Sequence, residues 1–214
     1  MKKLILIMIV VSLFMGCAPV FSDLQSAKLI GKDNYEITPH YSKIYYREED
    51  SDIDDAIQTH YGVQFAYGLN NKTDLRGRLE IINLNAIMGD ASIRVLSLGI
   101  KYSLIQNRIS SYLPISFSKN TESDDNAYKQ IEPTLLFTLP FNDNIDINYS
   151  IKVLLPFFEE EDNDPMYAIN IGCGFNNFNN WVVRPEIGFL FMPDDDGFYQ
   201  HISIGLSRII NSDK

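Results

Sequence analysis

Ile145-Asp146-Ile147-Asn148-Tyr149-Ser150-Ile151-Lys152-Val153-Leu154-Leu155-Pro156-Phe157 decides how this chain is read. Its odd positions are all apolar. Its even positions include Asp146, Asn148, Ser150 and Lys152. A period of two is the spacing of an extended strand, whose side chains alternate between two faces. The stretch therefore predicts one strand with an apolar face and a polar face. In a soluble β-protein the apolar face turns inward; in a membrane barrel it turns outward to lipid.

The same alternation recurs in both directions along the chain. Tyr61, Val63, Phe65, Tyr67 and Leu69 alternate with His60, Gly62, Gln64, Ala66 and Gly68. Leu96, Leu98, Ile100 and Tyr102 alternate with Ser97, Gly99, Lys101 and Ser103. Ile131, Leu135, Phe137 and Leu139 alternate with Gln130, Glu132, Thr134 and Thr138, and Trp181 to Phe191 repeats the pattern. About ten such segments follow Tyr35, each near the 9–11 residues that a tilted strand needs to cross a bilayer.

The connections sort by length. Asn70-Asn71-Lys72-Thr73, Gln106-Asn107, Asn142-Asp143-Asn144 and the stretch from Asn176 to Asn180 are short and rich in Asn, which suits tight hairpins. Between them lie the longer or more acidic stretches Arg47 to Ala56, Asn85 to Ala91, Lys119 to Ala127, Glu159 to Pro165 and Pro193 to Gly197. Long alternates with short throughout, and a soluble barrel has no reason to sort its loops so regularly. The pattern resembles that of small bacterial outer-membrane β-barrels, over roughly Tyr35 to Ile210. The resemblance implies an all-β fold, an up-and-down antiparallel β-barrel of about ten strands, with short periplasmic turns and longer outer loops. Two features depart from the family pattern. The chain ends Ile209-Ile210-Asn211-Ser212-Asp213-Lys214 rather than on an aromatic residue. Pro39, Pro114, Pro133 and Pro185 fall inside strands, where a closed barrel offers no edge, and they predict local bulges.

The first residues read as an address. Met1-Lys2-Lys3 is basic, Leu4 to Met15 is an apolar run too short to span a bilayer as a helix, and Gly16-Cys17 follows. Phe14-Met15-Gly16-Cys17 resembles a lipobox of bacterial lipoproteins, though without the usual Leu and small residue at its first two positions. The resemblance implies cleavage before Cys17 and lipidation of that residue. Ala18 stands where Asp would retain an enterobacterial lipoprotein in the inner membrane, so passage to the outer membrane is permitted. The expected organisation is a signal peptide over 1–16, a lipid-anchored tether over 17–34, a β-barrel domain over 35–210 and a tail over 211–214. Both termini are expected on the periplasmic side. Outer-membrane lipid, the barrel-assembly machinery and the lipoprotein-sorting machinery are the expected partners.

The 214-residue chain has a formal net charge of −10. An acidic chain repels phosphate backbones, which argues against nucleic acid as a partner. With Cys17 assigned to the lipidation motif, Cys173 has no partner for a disulfide and reads as a small apolar residue between Ile171 and Phe175. No metal-ligand spacing, phosphate-binding glycine loop or nucleotide motif is present, so no cofactor is expected. The acidic stretches could hold divalent ions, but none has EF-hand spacing, and a solvated rim accounts for them.

The polar faces set the candidate site. The register points Glu36, His40, His60, Gln64, Arg76, Arg78, Glu80, Lys101, Glu132, Lys152, Arg184, Glu186 and His201 into the lumen. A barrel of about ten strands is narrow enough for side chains to fill much of it. Opposite charges there would pair, giving a salt-bridged interior or a narrow polar channel for a small solute. The resulting expectation is a non-enzymatic structural or channel protein. One alternative is a soluble lipid-anchored periplasmic barrel with the apolar face inside, binding a hydrophobic ligand. Another is a hydrolase built on His40, His60 and His201 with Ser42 facing the same lumen, although no Gly-x-Ser-x-Gly elbow is present.

Overall fold

The computed structural model describes residues 20–48, 55–85, 91–121, 127–157, 164–178, 180–193 and 195–211. The signal segment, Cys17 and the acidic centres of most long connections lie outside these residues.

The alternating segments form β1 (Tyr35–Arg47), β2 (Gln58–Asn70), β3 (Thr73–Leu84), β4 (Ser92–Ile105), β5 (Ile109–Asn120), β6 (Tyr128–Ile131), β7 (Thr134–Asn142), β8 (Ile145–Pro156), β9 (Met166–Phe178), β10 (Trp181–Phe191) and β11 (Phe198–Ile210). Apart from β6 and β7, each pairs antiparallel with its neighbours in sequence, and β1 pairs with β11 from Tyr35↔Ile210 to Arg47↔Phe198, which closes the sheet. β6 and β7 occupy one position between β5 and β8, so the eleven segments make a closed up-and-down barrel of ten strands. Closure leaves no edge exposed.

The interruption between β6 and β7 falls at Glu132-Pro133. None of the four strand prolines makes the expected bulge: the register against β5 and β8 is the same on both sides of Pro133. Pro39 faces Val63, Pro114 faces Gly99 and Pro185 faces Ile204 with no shift of register at any of them. The register shifts lie elsewhere, between Gly68/Asn70, Ser103/Ile105, Pro140/Asn142 and Trp181/Val183. A proline removes one donor from the ladder but adds no residue, so pairing continues around it. Two glycines give it room: a Cβ on Gly99 would lie 2.5 Å from Pro114 Cα, and one on Gly172 would lie 2.7 Å from the Pro185 carbonyl oxygen.

The short turns all lie at one end of the barrel, together with the start of β1 and the end of β11. Asn107 and Asn180 take left-handed backbone there, with φ of 60° and 71°. The strand ends that flank the longer connections, Arg47 and Gln58, Leu84 and Ser92, Asn120 and Tyr128, Pro156 and Met166, and Phe191 and Phe198, lie at the other end.

The two faces divide as the alternation dictates, with apolar residues outside. Large apolar side chains are exposed on every strand but the short β6, among them Leu98 at 54 %, Ile151 at 52 % and Ile202 at 53 %. On β8 the outward row from Ile145 to Leu155 spans about 33 Å along the strand, or roughly 25 Å across a membrane at the tilt usual for barrels.

Residues 20–34 are not a free tether. Val20 packs against Ile82, Ile93 and Val95 near the long connections. Phe21 joins Ile44, Leu154, Met166, Ala168 and Leu190 at the same end. The chain then descends the lumen. Ala27 rests on Tyr112 and Leu136, and Asp33 donates to the Gly68 carbonyl (2.8 Å) beside a short turn. β1 begins immediately after. The described chain thus starts at the long-connection end and finishes at the short-turn end, so its two ends do not share one side.

Candidate functional site

The candidate site is the lumen, and the N-terminal arm fills it. Even positions of β1, β2, β3, β8 and β10 and odd positions of β4 and β11 project inward. This places Glu36, His40, His60, Arg76, Arg78, Glu80, Lys101, Glu132, Lys152, Arg184, Glu186 and His201 inside, all buried. Gln64 is buried with them.

Towards the long connections, Glu80 gathers both histidines of its side. His60 Nδ1 lies 2.9 Å from Glu80 Oε1 and His40 Nε2 lies 3.4 Å from Oε2. Gln58 Oε1 meets the other nitrogen of His60 at 2.9 Å. Arg78 Nη1 lies 3.7 Å from Glu80 Oε2, and its Nη2 donates to the Ser22 carbonyl at 2.8 Å.

At mid-height the arm supplies the central group, Asp23. Lys152 Nζ lies 2.9 Å from Asp23 Oδ1 and 3.6 Å from Glu132 Oε2. Ser150 and Asn170 both donate to Asp23 Oδ2. Glu186 accepts the backbone N–H groups of Asp23 and Leu24, one on each carboxylate oxygen and both at 2.7 Å. Gln64 donates to the Asp23 carbonyl at 3.0 Å.

Towards the short turns, Glu36 holds Arg76 at 3.2 Å and Arg184 at 3.0 Å, one on each oxygen. Lys101 donates to the carbonyls of Ser26 (2.6 Å) and Lys28 (2.7 Å). Thr138 accepts Ala27 N–H at 2.7 Å, and Lys28 reaches Asp146 at 2.6 Å.

The arm therefore takes the hydrogen-bonding role that water or a solute would take in an open lumen. A cavity of about 10 Å³ remains beside Asp23, Arg78, Glu132 and Lys152, room for roughly one water molecule. Fully buried charges are tolerated here because each is paired or hydrogen-bonded.

Asp23, Asp74 and Asp146 belong to this network and were not picked out as site residues from the sequence. One signal for Asp23 lies in the register. The cross-strand neighbours of Lys152 are Thr134 and Ala168, neither of them charged, so its counter-ion had to come from further away.

The catalytic alternative gains one contact and loses access. Ser203 Oγ donates to Ser42 Oγ at 2.7 Å, and His201 Nδ1 lies 2.7 Å from Ser203 Oγ. The Phe21 ring packs edge-on against His201 with centroids 4.8 Å apart, so the arm covers the group. Among the described residues no cluster of His, Cys, Asp and Glu could hold a metal ion.

No protein-family model matches the chain, and no curated protein is similar to it in sequence. Among solved structures the barrel is similar to the translocator domain of the autotransporter NalP from Neisseria meningitidis, with 9 % identity, a TM-score of 0.48 and coverage of 83 % of this chain and 89 % of that one. It is similar to the attachment invasion locus protein Ail of Yersinia pestis, with 14 % identity, a TM-score of 0.39 and coverage of 84 % and 99 %. The N-terminal β-barrel domain of Pseudomonas aeruginosa OprF matches with 11 % identity, a TM-score of 0.33 and coverage of 83 % and 98 %.

Proposed function

We propose that this chain is a non-enzymatic barrel of the bacterial outer membrane, closed by its own N-terminal arm and serving as a structural, surface-presenting element. The observation that carries this reading is the arm itself, with its backbone held by Glu186, Lys101 and Arg78 inside a barrel whose outer face is apolar. A soluble ligand-binding barrel would need the reverse, an apolar interior and a polar exterior. The apolar exterior, the roughly 25 Å height of the apolar row and the segregation of long from short connections all support a membrane setting.

Lipidation of Cys17 is part of the proposal, and the lipobox-like Phe14-Met15-Gly16-Cys17 supports it. Cys17 is three residues before Val20, a reach of about 10 Å at most. An acyl chain there would enter the leaflet beside the long connections, rather than the periplasmic leaflet expected from the sequence. Surrounding lipid, the barrel-assembly machinery and the lipoprotein-sorting machinery are then the partners. A small solute could pass only if the arm leaves the lumen.

Conductance across a planar bilayer tests the plug. The parent chain is expected to be silent. A variant lacking 20–27 should conduct, because the removed backbone leaves Lys101, Lys152 and Glu186 to be hydrated. A parent that conducts steadily while its arm stays protected from hydrogen exchange would refute the plugged reading in favour of an open channel.

A further inference from the structure

Among the described residues of the arm, only Asp23 has its N–H, its carbonyl and its side chain all held by side chains of the barrel wall. Its N–H donates to Glu186 Oε1 at 2.7 Å. Its carbonyl accepts Gln64 at 3.0 Å and Arg78 Nη2 at 3.4 Å. Its carboxylate accepts Ser150 and Asn170 on Oδ2 and pairs with Lys152 Nζ at 2.9 Å on Oδ1. Nearby, Ser22 Oγ and Gln25 Oε1 are buried without a hydrogen-bond partner. At this height of the lumen the wall therefore matches one residue type and leaves neighbouring polar side chains unmatched.

Charge pairing alone does not require this arrangement. Lys152 has a carboxylate of the wall, Glu132, 3.6 Å away. Ser150 and Asn170 are neutral and need no counter-ion, yet these cross-strand partners of β8 and β9 converge on one oxygen of Asp23. A free acidic amino acid presents the same three groups to the same wall. Its side-chain carboxylate answers Lys152, Ser150 and Asn170. Its ammonium has three donors for Glu186, which now takes two peptide N–H groups. Its α-carboxylate answers Gln64 and Arg78, and the planar guanidinium can take both oxygens. That carboxylate has one oxygen more than a peptide carbonyl, and the cavity of about 10 Å³ borders Asp23, Gln64 and Arg78.

We propose that the place of Asp23 is a solute site for a small acidic amino acid of the size of aspartate, which the arm fills as an internal mimic. The site rests on the plugged reading above and adds to it the class of solute that the lumen admits once the arm withdraws. A neutral amino acid leaves Lys152, Ser150 and Asn170 without an acceptor. A dicarboxylate without an amine leaves Glu186 facing a like charge and no donor.

The full chain with Asp23→Gly keeps the arm and vacates the carboxylate position, and the group removed has the size of acetate. Acetate should raise the thermal unfolding midpoint of D23G in detergent. Beyond half-saturation the folded-to-unfolded ratio should rise about tenfold for each tenfold of acetate. The parent, whose site is filled, and D23G/K152M, which lacks the cation, should not respond. A D23G response no larger than that of the parent, or one that chloride reproduces, would overturn the proposal. A planar bilayer then reads the whole site, because L-aspartate competes with the weakened arm of D23G for Glu186 and Arg78. L-aspartate should open D23G about tenfold more often than L-asparagine at the same concentration, since asparagine brings no charge to Lys152. Succinate should also open it less often than L-aspartate does. Equal opening by all three, or a D23G that stays silent in L-aspartate, would overturn the proposal. If D23G fails to fold, the nearly isosteric D23N takes its place in the bilayer with the same expected order. A parent that conducts steadily while its Asp23 and Leu24 amides stay protected from exchange would instead sink the plugged reading, and this site with it. A silent parent beside a D23G that ignores acetate would sink the site alone.

Discussion

Replacing Glu186 by Gln should loosen the arm without opening the barrel. The Glu186 carboxylate accepts two backbone N–H groups, Asp23 on Oε1 and Leu24 on Oε2, both at 2.7 Å. Hydrogen bonds to a charged group contribute about 1.5–3 kcal/mol each. Gln is nearly isosteric and keeps one acceptor oxygen, but it turns its NH₂ group towards the second N–H. One charge-assisted bond is lost and one buried donor is left without a partner. The expected cost is about 2–3 kcal/mol, confined to the arm. Hydrogen exchange of the Asp23 and Leu24 amides reads this directly, and their rates should rise about 30- to 150-fold. The amide of Val153, which bonds to the Pro133 carbonyl at 3.1 Å across the barrel wall, serves as the control and should not change. Unchanged rates at Asp23 and Leu24 would refute the idea that Glu186 holds the arm. An equal rise at Val153 would mean that the barrel itself had opened.

Other consequences follow from the same contacts. Lys152→Met leaves the Asp23 carboxylate buried without its cation and should lower stability by about 3 kcal/mol, and adding Asp23→Asn should recover most of the loss, as thermal unfolding in detergent would show. Gly68→Ala places a methyl group on the Gly31 carbonyl where the arm meets the short turn, so a cost of about 1–3 kcal/mol and faster exchange of the Asp33 amide are expected. Gly188→Ala drives a Cβ into Asn170 and His201, and it should lower the unfolding midpoint more than Gly174→Ala, whose Cβ would meet nothing nearer than 3.6 Å.

The strands were legible because their period of two is uninterrupted. From Ile145 to Lys152 a shift of one residue would exchange every apolar side chain for a polar one, so the register has a single answer. The same alternation turns Glu36, Lys101 and Glu186 to the interior. The arm was not legible. Val20-Phe21-Ser22-Asp23-Leu24-Gln25-Ser26-Ala27 has no sustained period, because it lies among side chains rather than in a sheet. Its burial is set by what surrounds it, with Phe21 on His201 and Ser26 under Lys101. The prolines misled for a related reason. Their effect depends on which neighbour loses a donor, and only Pro133 coincides with a break in the strand.

One pair of labels reports both on the apolar rows that face lipid and on the arm that fills the lumen. With Cys17 and Cys173 changed to Ser, a single fluorescent label at Ile151 and, in a second protein, at Ser26 would be compared in vesicles, using brominated acyl chains and aqueous iodide as quenchers. The brominated chains should quench the Ile151 label, and the Ser26 label should be protected from both quenchers. An Ile151 label that ignores the brominated chains, or a Ser26 label that iodide quenches freely, would contradict that arrangement.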